Sequence, residues 1–500
     1  MLLIFPPVAK ACEPPAGIAL LSGILQRNGV PCTLLDANLE GLFFLLRRPL
    51  TTPSDTWSRR ACRGLADNLA GFKDPSLYGN PDRYRRAVAD VGRVLDRIGK
   101  PHGVTLANYQ DRSLSPLRSA DLLRAAAEPE KNIFYPYFAA RLPDLLAEKR
   151  PQTVGISLNY LSQAVATFAM VGFLKKYAPR LKVVLGGGLV TSWLSNPAFV
   201  NPFAGLVDDM VAGPGGDALL GLHGVTVKGG HHGPRYDDLP LQEYLAPGLI
   251  LPYAASSGCY WNKCSFCPEK AEGNPYRQVS PVQALTDLAR LRDQHRPRLI
   301  HFLDNAVSPA LMRGLIAQTL GVEWYGFARI GRELADPDFC RKLRGSGCRM
   351  LKLGLESGDQ GVLDAMDKGI NLVLVSRALS ALREAGIATY VYLLFGTPSE
   401  TIAEARKTLD FVRNHREMIT FLNLAVFNMP LCSPEASGVA VRGFYDGDLS
   451  LYTDFDHPHG WGRAEIRRFL DQEFRRDPVV AEILRRDPPL FTSNHAALFC

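Results

Sequence analysis

Short apolar runs alternate with helical patterns along two stretches of this 500-residue chain, and this alternation constrains the fold more than any other feature. Continuous apolar strands separated by helices indicate a parallel sheet with helices on both faces. We therefore predict an α/β protein whose first domain, residues 1–225, is doubly wound and Rossmann-like. The apolar runs of this domain are residues 2–5, 32–35, 154–158, 183–185 and 207–211.

A long interruption separates the second and third of these runs. Residues 40–150 are rich in Arg, Leu, Ala and Asp and have helical periodicity without strand signals. We predict a helical insertion there. We expect it to form a solvated helical cover that shields a cleft and takes no direct part in the reaction. No functional residue is assigned to it.

A second series of apolar runs follows residues 226–247, whose Gly, His, Pro and Asp content predicts a linker. Six strand-and-helix repeats predict a partial (β/α)6 TIM-like barrel over residues 248–438. Residues 439–500 contain short helical patterns and predict a small C-terminal helical extension. The apolar runs of the barrel are residues 249–255, 299–303, 324–330, 350–355, 389–395 and 421–427.

Charge and hydropathy exclude several classes of protein. The chain has 57 Lys and Arg against 50 Asp and Glu, a net charge of +7 without a concentrated basic stripe, so we predict no nucleic-acid partner. Apolar runs fall short of the roughly 18 to 20 residues that cross a bilayer. The start of the chain has no basic leader and meets Pro6 and Pro7 at once, which predicts a cytoplasmic location.

Three of the ten cysteines crowd into nine positions: Cys259, Cys264 and Cys267. They follow the first predicted barrel strand, so their thiolates can converge on one metal centre at the mouth of the barrel. Structural zinc normally needs a fourth ligand, and none stands at a suitable spacing nearby. An iron–sulfur cluster with three cysteine ligands would leave one iron free for a ligand. Zinc or simple buried thiols stay open as alternatives.

This motif, with the strand pattern around it, resembles the radical S-adenosylmethionine (SAM) enzymes, in particular those with an N-terminal cobalamin-binding domain. The commonest motif of the family has three residues between the first two cysteines, whereas this chain has four. The resemblance implies that Cys259, Cys264 and Cys267 hold a 4Fe-4S cluster. The reduced cluster would cleave SAM to methionine and a 5'-deoxyadenosyl radical. No catalytic side chain is assigned.

Polar residues at the ends of the later barrel strands are candidates for SAM binding. The resemblance places the fourth-strand Glu356 and Ser357 near SAM, where a carboxylate can accept hydrogen bonds from the ribose hydroxyls or the ammonium group. Taken singly, Asp304, Arg329 and Ser357 are equally compatible with helix capping or ion pairing. We expect SAM contacts from Phe266, whose main chain would meet the adenine, and from Asp304, Arg329, Glu356 and Ser357.

The first domain resembles the cobalamin-binding fold in several segments. Glycines after a strand let the backbone approach a ligand, and ligands of open α/β sheets lie at the carboxyl ends of strands. The D-x-H-x-x-G motif that supplies a cobalt ligand is absent from residues 1–225, as it commonly is in the radical SAM branch, so either cobalamin binding or a retained fold fits. The predicted cobalamin contacts are Pro6, Pro7, Ser157, Leu158, Gly186, Gly187 and Gly188.

The resemblance implies cobalamin-dependent methylation of an unactivated carbon in a small molecule or peptide, with an electron donor such as flavodoxin or ferredoxin. A radical SAM cyclisation, rearrangement or peptide modification without methyl transfer is the first alternative, and a non-catalytic metal-binding protein is the second. Glu400 fits a residue at a helix start. We favour solvated loops over a substrate cavity for five tail residues: His457, His459, Trp461, His495 and Cys500.

Overall fold

The computed structural model describes residues 1–49, 55–226, 231–489 and 495–500, which form two compact units. The first unit contains Met1–Leu249 and Tyr445–Leu451, and the second contains Ile250–Phe444 and Tyr452–Pro488. Short parts of the predicted insertion, linker and C-terminal extension, residues 50–54, 227–230 and 490–494, lie outside the described residues.

A parallel five-stranded sheet organises the first unit, with the strand order β2-β1-β5-β6-β7. The order reverses between β1 and β5, and ligands of such sheets bind at the carboxyl ends of the strands at this switch point. The strands are β1 (Leu2–Phe5), β2 (Thr33–Asp36), β3 (Gly103–Val104), β4 (Tyr109–Gln110), β5 (Thr153–Ser157), β6 (Lys182–Gly186) and β7 (Asp209–Met210).

The helices of this unit enclose an apolar core with the sheet. Twelve residues of the helix at 161–177 are buried, because its apolar residues surround the whole helix. The helices are α1 (Ala16–Arg27), α2 (Ala37–Leu46), α3 (Thr56–Arg63), α4 (Leu65–Gly71), α5 (Pro75–Tyr78), α6 (Pro81–Gly99), α7 (Ser119–Ala127), α8 (Tyr135–Lys149), α9 (Leu161–Tyr177), α10 (Gly188–Ser195) and α11 (Gly216–Leu222).

Two predictions for this unit need correction. The insertion is mainly helical, but it also contains the β3–β4 hairpin, whose two-residue strands are too short to show a period in the sequence. The predicted linker is packed rather than free: Tyr236 and Tyr244 are buried, and the Tyr244 hydroxyl donates to Asp36 at 2.7 Å. Burial raises the pKa of that carboxyl to about 6.

Six parallel strands in chain order form the main sheet of the second unit, β8-β11-β12-β13-β14-β15. The predicted α/β class with parallel sheets is confirmed, while closure into a partial barrel stays a prediction. The strands are β8 (Ile250–Tyr253), β9 (Ser256–Ser257), β10 (Arg277–Gln278), β11 (Leu299–Phe302), β12 (Glu323–Ala328), β13 (Cys348–Glu356), β14 (Ala388–Phe395), β15 (Phe421–Val426), β16 (Met429–Pro430), β17 (Val441–Gly443) and β18 (Tyr452–Phe455).

Helices connect these strands, as a parallel sheet requires. Four of the helices named below begin at a side-chain cap followed by proline, such as Ser280 before Pro281 and Ser308 before Pro309. The helices are α12 (Pro268–Ala271), α13 (Pro281–His295), α14 (Pro309–Ala317), α15 (Pro337–Gly345), α16 (Gln360–Ala365), α17 (Leu372–Glu384), α18 (Ile402–Asn414), α19 (Arg463–Phe469) and α20 (Pro478–Leu484).

The C-terminal extension differs from its prediction. Besides α19 and α20 it contains β17 and β18. The central strand β18 pairs with both β16 and β17 in an antiparallel sheet of three short strands. Two of its residues that we favoured as solvated are buried: Trp461 is 5% exposed and His495 is 0% exposed. His495 packs against Tyr390 and Phe421, with ring centroids 4.2 Å away in both cases.

Helix length and hydropathy bear on the membrane question. Across the described ranges, we find no helix that is both long enough and apolar enough to span a bilayer.

Candidate functional site

The cysteine motif lies in the loop that follows β8 and β9 in the second unit. Cys259, Cys264 and Cys267 are all half-buried free thiols. The loop begins at Gly258, whose φ of 69° is in the left-handed region that favours glycine. A Cβ at this position would lie 2.6 Å from the carbonyl oxygen of Pro275, so only glycine lets the two chain segments approach here.

Asp304, which we predicted to contact SAM, anchors the approach to this loop. It is 1% exposed, and its carboxylate accepts the backbone N–H of Ala255 at 3.0 Å and the hydroxyl of Ser256 at 2.5 Å. Burial raises the pKa of the Asp304 carboxyl, and these hydrogen bonds oppose that rise. Both carboxylate oxygens are thus engaged in holding the strand ends that lead to Cys259.

Cys267 immediately precedes α12. Burial raises the pKa of its thiol, while the backbone N–H groups of Glu269 and Lys270 lower it. These N–H groups belong to the first turn of the helix, where they have no partner within the helix. They therefore favour the thiolate, which is the form that binds metal.

Cys264 lies among charged side chains. Burial is the largest influence and raises the pKa of its thiol, while the cations of Lys368 and Arg329 lower it. The nearby acidic groups, Glu356 and the Cys259 thiol, raise it again. A half-buried thiol with two cations nearby suits a thiolate that becomes part of an anionic metal cluster.

Glu356 forms a buried ion pair with Lys368. The ammonium donates to the carboxylate at 2.7 Å, and the two side chains are only 12% and 10% exposed. Gly354 provides the room, since a Cβ there would lie 2.5 Å from the carboxylate and 2.7 Å from the ammonium. Glu356 itself has a φ of 71°, a left-handed conformation that a residue other than glycine adopts only where the surrounding structure imposes it.

Three other predicted SAM residues have contacts of their own. The Ser357 hydroxyl is buried, accepts the backbone N–H of Asp359 at 3.1 Å and lies 3.3 Å from the Thr408 hydroxyl, which accounts for it as a turn residue. The Phe266 ring lies 5.5 Å from the Lys368 ammonium. The Arg329 guanidinium stacks on Trp261 at 3.7 Å.

The chemistry of the donor set is compatible with a 4Fe-4S cluster. In the described part of the chain, no group of three or more His, Cys, Asp or Glu residues is arranged to hold one metal ion. In a 4Fe-4S cluster each thiolate binds a different iron, so the sulfur atoms need not approach one another as closely. Three thiols on one loop, two cations and a helix N-terminus are compatible with such a group.

Glu400 ties the turn after β14 to the C-terminal extension. It is fully buried, and its carboxylate accepts the backbone N–H of Gly396 at 2.5 Å and the indole N–H of Trp461 at 3.0 Å. Burial raises its pKa to about 7. The predicted role at a helix start belongs instead to Thr401, whose side chain caps α18 together with Glu404.

In the first unit, the structure brings the predicted cobalamin residues to one edge of the sheet. Pro6 and Pro7 follow β1, Ser157 ends β5 and Leu158 follows it, and Gly186 ends β6 before residues 187 and 188. The backbone joins these loops, because Leu158 donates to the Gly186 carbonyl at 2.7 Å. This edge contains the switch point between β1 and β5, where the strand order reverses.

Two amides that the sequence analysis missed hold this edge together. The buried Gln163 side chain donates to the Pro6 carbonyl at 2.7 Å and accepts the backbone N–H of Asn159 at 2.9 Å. The Asn159 side chain accepts the N–H of Gly188 at 2.9 Å. Gly187 has a φ of 103°, and a Cβ there would lie 2.5 Å from the Leu158 carbonyl. Hydrogen bonds between neutral groups therefore hold the loops after β1, β5 and β6 together.

Comparison with known families bears on the second unit. Residues 253–412 match the family model described as the radical SAM superfamily. The match begins at the end of β8, takes in all three motif cysteines and ends within α18, so it confirms the predicted resemblance.

Solved structures share the fold over most of the chain. The radical SAM methyltransferase TsrM of Kitasatospora setae, solved with cobalamin and a 4Fe-4S cluster bound, superposes with a TM-score of 0.53 and 17% identity, covering 90% of this chain and 82% of its own. The cobalamin-dependent radical SAM enzyme OxsB, solved with aqua-cobalamin, superposes with a TM-score of 0.50 and 15% identity, covering 64% of this chain and 58% of its own. At such identities the likeness shows a common fold.

Among curated proteins, an uncharacterised methyltransferase of Pyrococcus horikoshii is 26% identical over 188 residues. The matching segments make up 36% of this chain and 40% of that relative, so well under two thirds of the relative is matched.

Two residues near the cysteine loop that the sequence analysis missed share a signal in the sequence. Lys368 lies near Cys264 and Gly369 packs against Trp261, although both are about a hundred positions away from the loop along the chain. The left-handed conformations of Asp367 and Gly369, with φ of 52° and 63°, reflect a tight turn that the Asp-Lys-Gly triplet could have indicated.

Proposed function

We propose that this chain is a radical SAM enzyme that methylates an unactivated carbon of a small molecule or peptide with the help of cobalamin. The observation that carries the proposal is the three-cysteine loop inside the radical SAM match, where Lys368 and Arg329 lower the pKa of the Cys264 thiol against the effect of burial. A 4Fe-4S cluster held by Cys259, Cys264 and Cys267 would supply the electron that cleaves SAM.

The chain's own residues would prepare the site for SAM. Glu356 lies after the bulge of β13, where its carboxylate can accept hydrogen bonds from the ribose or the ammonium group of SAM while Lys368 neutralises its charge. Asp304 would act indirectly by holding the start of the cysteine loop. Phe266 stands between Cys264 and Cys267, and its main chain would contact the adenine.

Cobalamin would bind at the carboxyl edge of the first sheet. The support is the switch point of that sheet, the glycines after β6 and the likeness of the fold to TsrM and OxsB, which were solved with cobalamin. The loops of this edge offer backbone groups and neutral side chains, and a corrin ring with its amide side chains can hydrogen-bond to such groups. As no D-x-H-x-x-G motif stands in residues 1–225, no histidine of that motif would ligate the cobalt.

Small products distinguish the candidate reactions. The anaerobically reconstituted protein would be reduced with titanium citrate in the presence of SAM and hydroxocobalamin. We expect both 5'-deoxyadenosine, from reductive cleavage, and S-adenosylhomocysteine, from methylation of cobalamin. 5'-Deoxyadenosine alone would favour radical chemistry without methyl transfer. If neither product forms, the proposal is contradicted, and the chain is a non-catalytic metal-binding protein. A Cys264→Ala variant is the control, since it should form no 5'-deoxyadenosine.

The proposal includes a cytoplasmic location and a one-electron donor such as flavodoxin or ferredoxin. Replacing titanium citrate with reduced flavodoxin tests the donor directly. The same yield of 5'-deoxyadenosine supports the donor, and no product with an otherwise active enzyme contradicts it.

A further inference from the structure

Trp261 lies in the loop between Cys259 and Cys264, and its environment differs from that of a solvated loop residue. The next residue, Asn262, has a φ of 45°, so the backbone bends sharply at this point. The indole N–H donates to the backbone carbonyl of Asp367 at 3.0 Å. Trp261 is thus connected to a segment more than a hundred residues further along the chain.

The indole ring packs closely against this segment. A Cβ on Gly369 would lie 2.2 Å from the ring, so the indole occupies the space that any other side chain at position 369 would need. On the ring the guanidinium of Arg329 lies at 3.7 Å, well within the range of a cation–π contact. Close packing, a hydrogen bond and a stacked cation together fix the ring.

Arg329 also reaches the same segment directly. One of its nitrogens donates to the backbone carbonyls of Lys368 and Gly369, the latter at 2.9 Å. On the other side of Cys264, the backbone N–H of Ser265 donates to the carbonyl of Met366 at 3.0 Å. Residues 366–369 therefore hold the cysteine loop both before and after Cys264.

Lys368 extends these contacts to the proposed SAM site. Its backbone carbonyl accepts from Arg329, while its ammonium donates to Glu356 at 2.7 Å. One short segment thus fixes the position of Cys264 relative to Glu356. A movement of a few tenths of an ångström in this segment would be felt at both residues.

We propose that Trp261 is a positioning residue: with Arg329 and residues 366–369 it forms a clasp that holds Cys264 in the geometry needed to retain the cluster. The retention of iron rests on the proposed function. The immobilisation of the loop does not, since it concerns only contacts within the chain. Partners that orient metal ligands typically change metal affinity by about 10- to 100-fold when they are removed.

The first test uses the metal-free protein and the variants Trp261→Ala, Trp261→Phe and Gly369→Ala. Gly369→Ala pushes the ring away without altering the tryptophan itself. The rate of iodoacetamide alkylation at Cys264 is measured by peptide mass spectrometry, with Cys432 as the internal reference. We expect alkylation about tenfold faster in Trp261→Ala and Gly369→Ala. Trp261→Phe, which keeps the stack and loses the hydrogen bond, should fall between these variants and the wild type.

The matched control is Trp57→Ala. Trp57 also lies beside an arginine, with Arg60 at 4.8 Å from its ring, but it belongs to the first unit and is 59% exposed. This variant should leave the alkylation of Cys264 unchanged. Equal alkylation rates in the wild type, Trp261→Ala and Gly369→Ala would overturn the clasp.

The second test measures cluster retention after anaerobic reconstitution. We expect Trp261→Ala to lose iron to a chelator about tenfold faster than the wild type and to show a broadened electron paramagnetic resonance signal of the reduced cluster, with partial rescue in Trp261→Phe. An unchanged signal and unchanged iron loss would overturn the role in retention. If the wild type takes up no cluster, the proposed function fails, and the alkylation rates still decide on the clasp.

Discussion

The carboxyl edges of the two parallel sheets are built from different chemistry. In the first unit, glycines, backbone carbonyls and the neutral amides of Asn159 and Gln163 form the loops after β1, β5 and β6. In the second unit, three thiols, the Arg329 cation and the buried Glu356–Lys368 ion pair form the edge. Both sheets present loops where ligands of parallel sheets bind, but the side chains decide which ligand fits. We assign the neutral edge to cobalamin and the charged edge to the cluster and SAM.

Removing one thiol should have the largest effect and should separate the two edges. In Cys264→Ala we expect nearly all iron to be lost and SAM cleavage to stop, because a ligand of the cluster is missing. Corrinoid binding by the first unit should persist. Metal analysis measures the iron content, and absorption spectroscopy measures the bound corrinoid. The control is Cys432→Ala, which removes a half-buried cysteine outside the loop. Full iron retention in Cys264→Ala would break the assignment of the charged edge.

Breaking the ion pair of the charged edge should cost more stability than breaking an exposed pair. Lys368→Met leaves the Glu356 carboxylate buried without its cation, and we expect a loss of about 3 to 5 kcal/mol in the free energy of unfolding. Arg383→Met breaks the exposed pair with Glu417, whose side chains are 51% and 59% exposed, and should cost under about 1 kcal/mol. Urea unfolding measures the free energy of unfolding of both variants. Equal losses in Lys368→Met and Arg383→Met would contradict the burial of the ion pair between Glu356 and Lys368.

A buried carboxyl of the second unit predicts a dependence of stability on pH. Burial raises the pKa of Glu400 from 4.5 to about 7, so between these values the folded chain binds more protons than the unfolded chain. This contribution to stability is complete below pH 4.5 and is lost as the pH rises through about 7. The shift corresponds to at most about 3 kcal/mol.

Glu400→Gln tests this dependence, since the amide oxygen can still accept from Gly396 and Trp461 but does not titrate. We expect a flatter profile of unfolding free energy between about pH 5 and about pH 8 in the variant than in the wild type. Identical profiles in the two proteins would show that Glu400 does not titrate in this range.

Steric replacement at the neutral edge should have the smallest effect on stability and should leave iron unchanged. In Gly187→Ala the new methyl group meets the Leu158 carbonyl, and we expect a loss of about 1 to 3 kcal/mol together with weaker corrinoid binding. Gly29→Ala is the matched control, because Gly29 has a φ of 81° but no atom within 4 Å of the added methyl. Equal corrinoid binding in both variants would contradict the assignment of this edge.

The sequence predicted the parts of the fold that repeat and missed those that depend on distant contacts. The strands of both sheets were predictable because continuous apolar runs mark buried parallel strands. The hairpin β3–β4 and the strands β17 and β18 were not, because two to four residues show no period. Trp461 was misjudged as solvated, since its partner Glu400 lies 61 positions earlier in the chain.

The candidate site also contains some residues that the sequence indicated and others that only distant contacts reveal. Cys259, Cys264 and Cys267 stand close together in the sequence, so their spacing alone indicated a metal centre. Lys368 comes near them only through the turn at residues 366–369, which no local pattern connects to the motif. Asp304 was predicted from its place at a strand end, but its contact with Ser256 could be learned only from the structure.

The cofactor content of the wild-type protein tests the account most directly. The chain would be expressed anaerobically with hydroxocobalamin and reconstituted with iron and sulfide, and metals and corrinoid would be quantified per chain. The account predicts about four irons and one corrinoid. Iron without corrinoid would contradict the role of the first sheet, and zinc without iron would contradict the proposed mechanism as a whole.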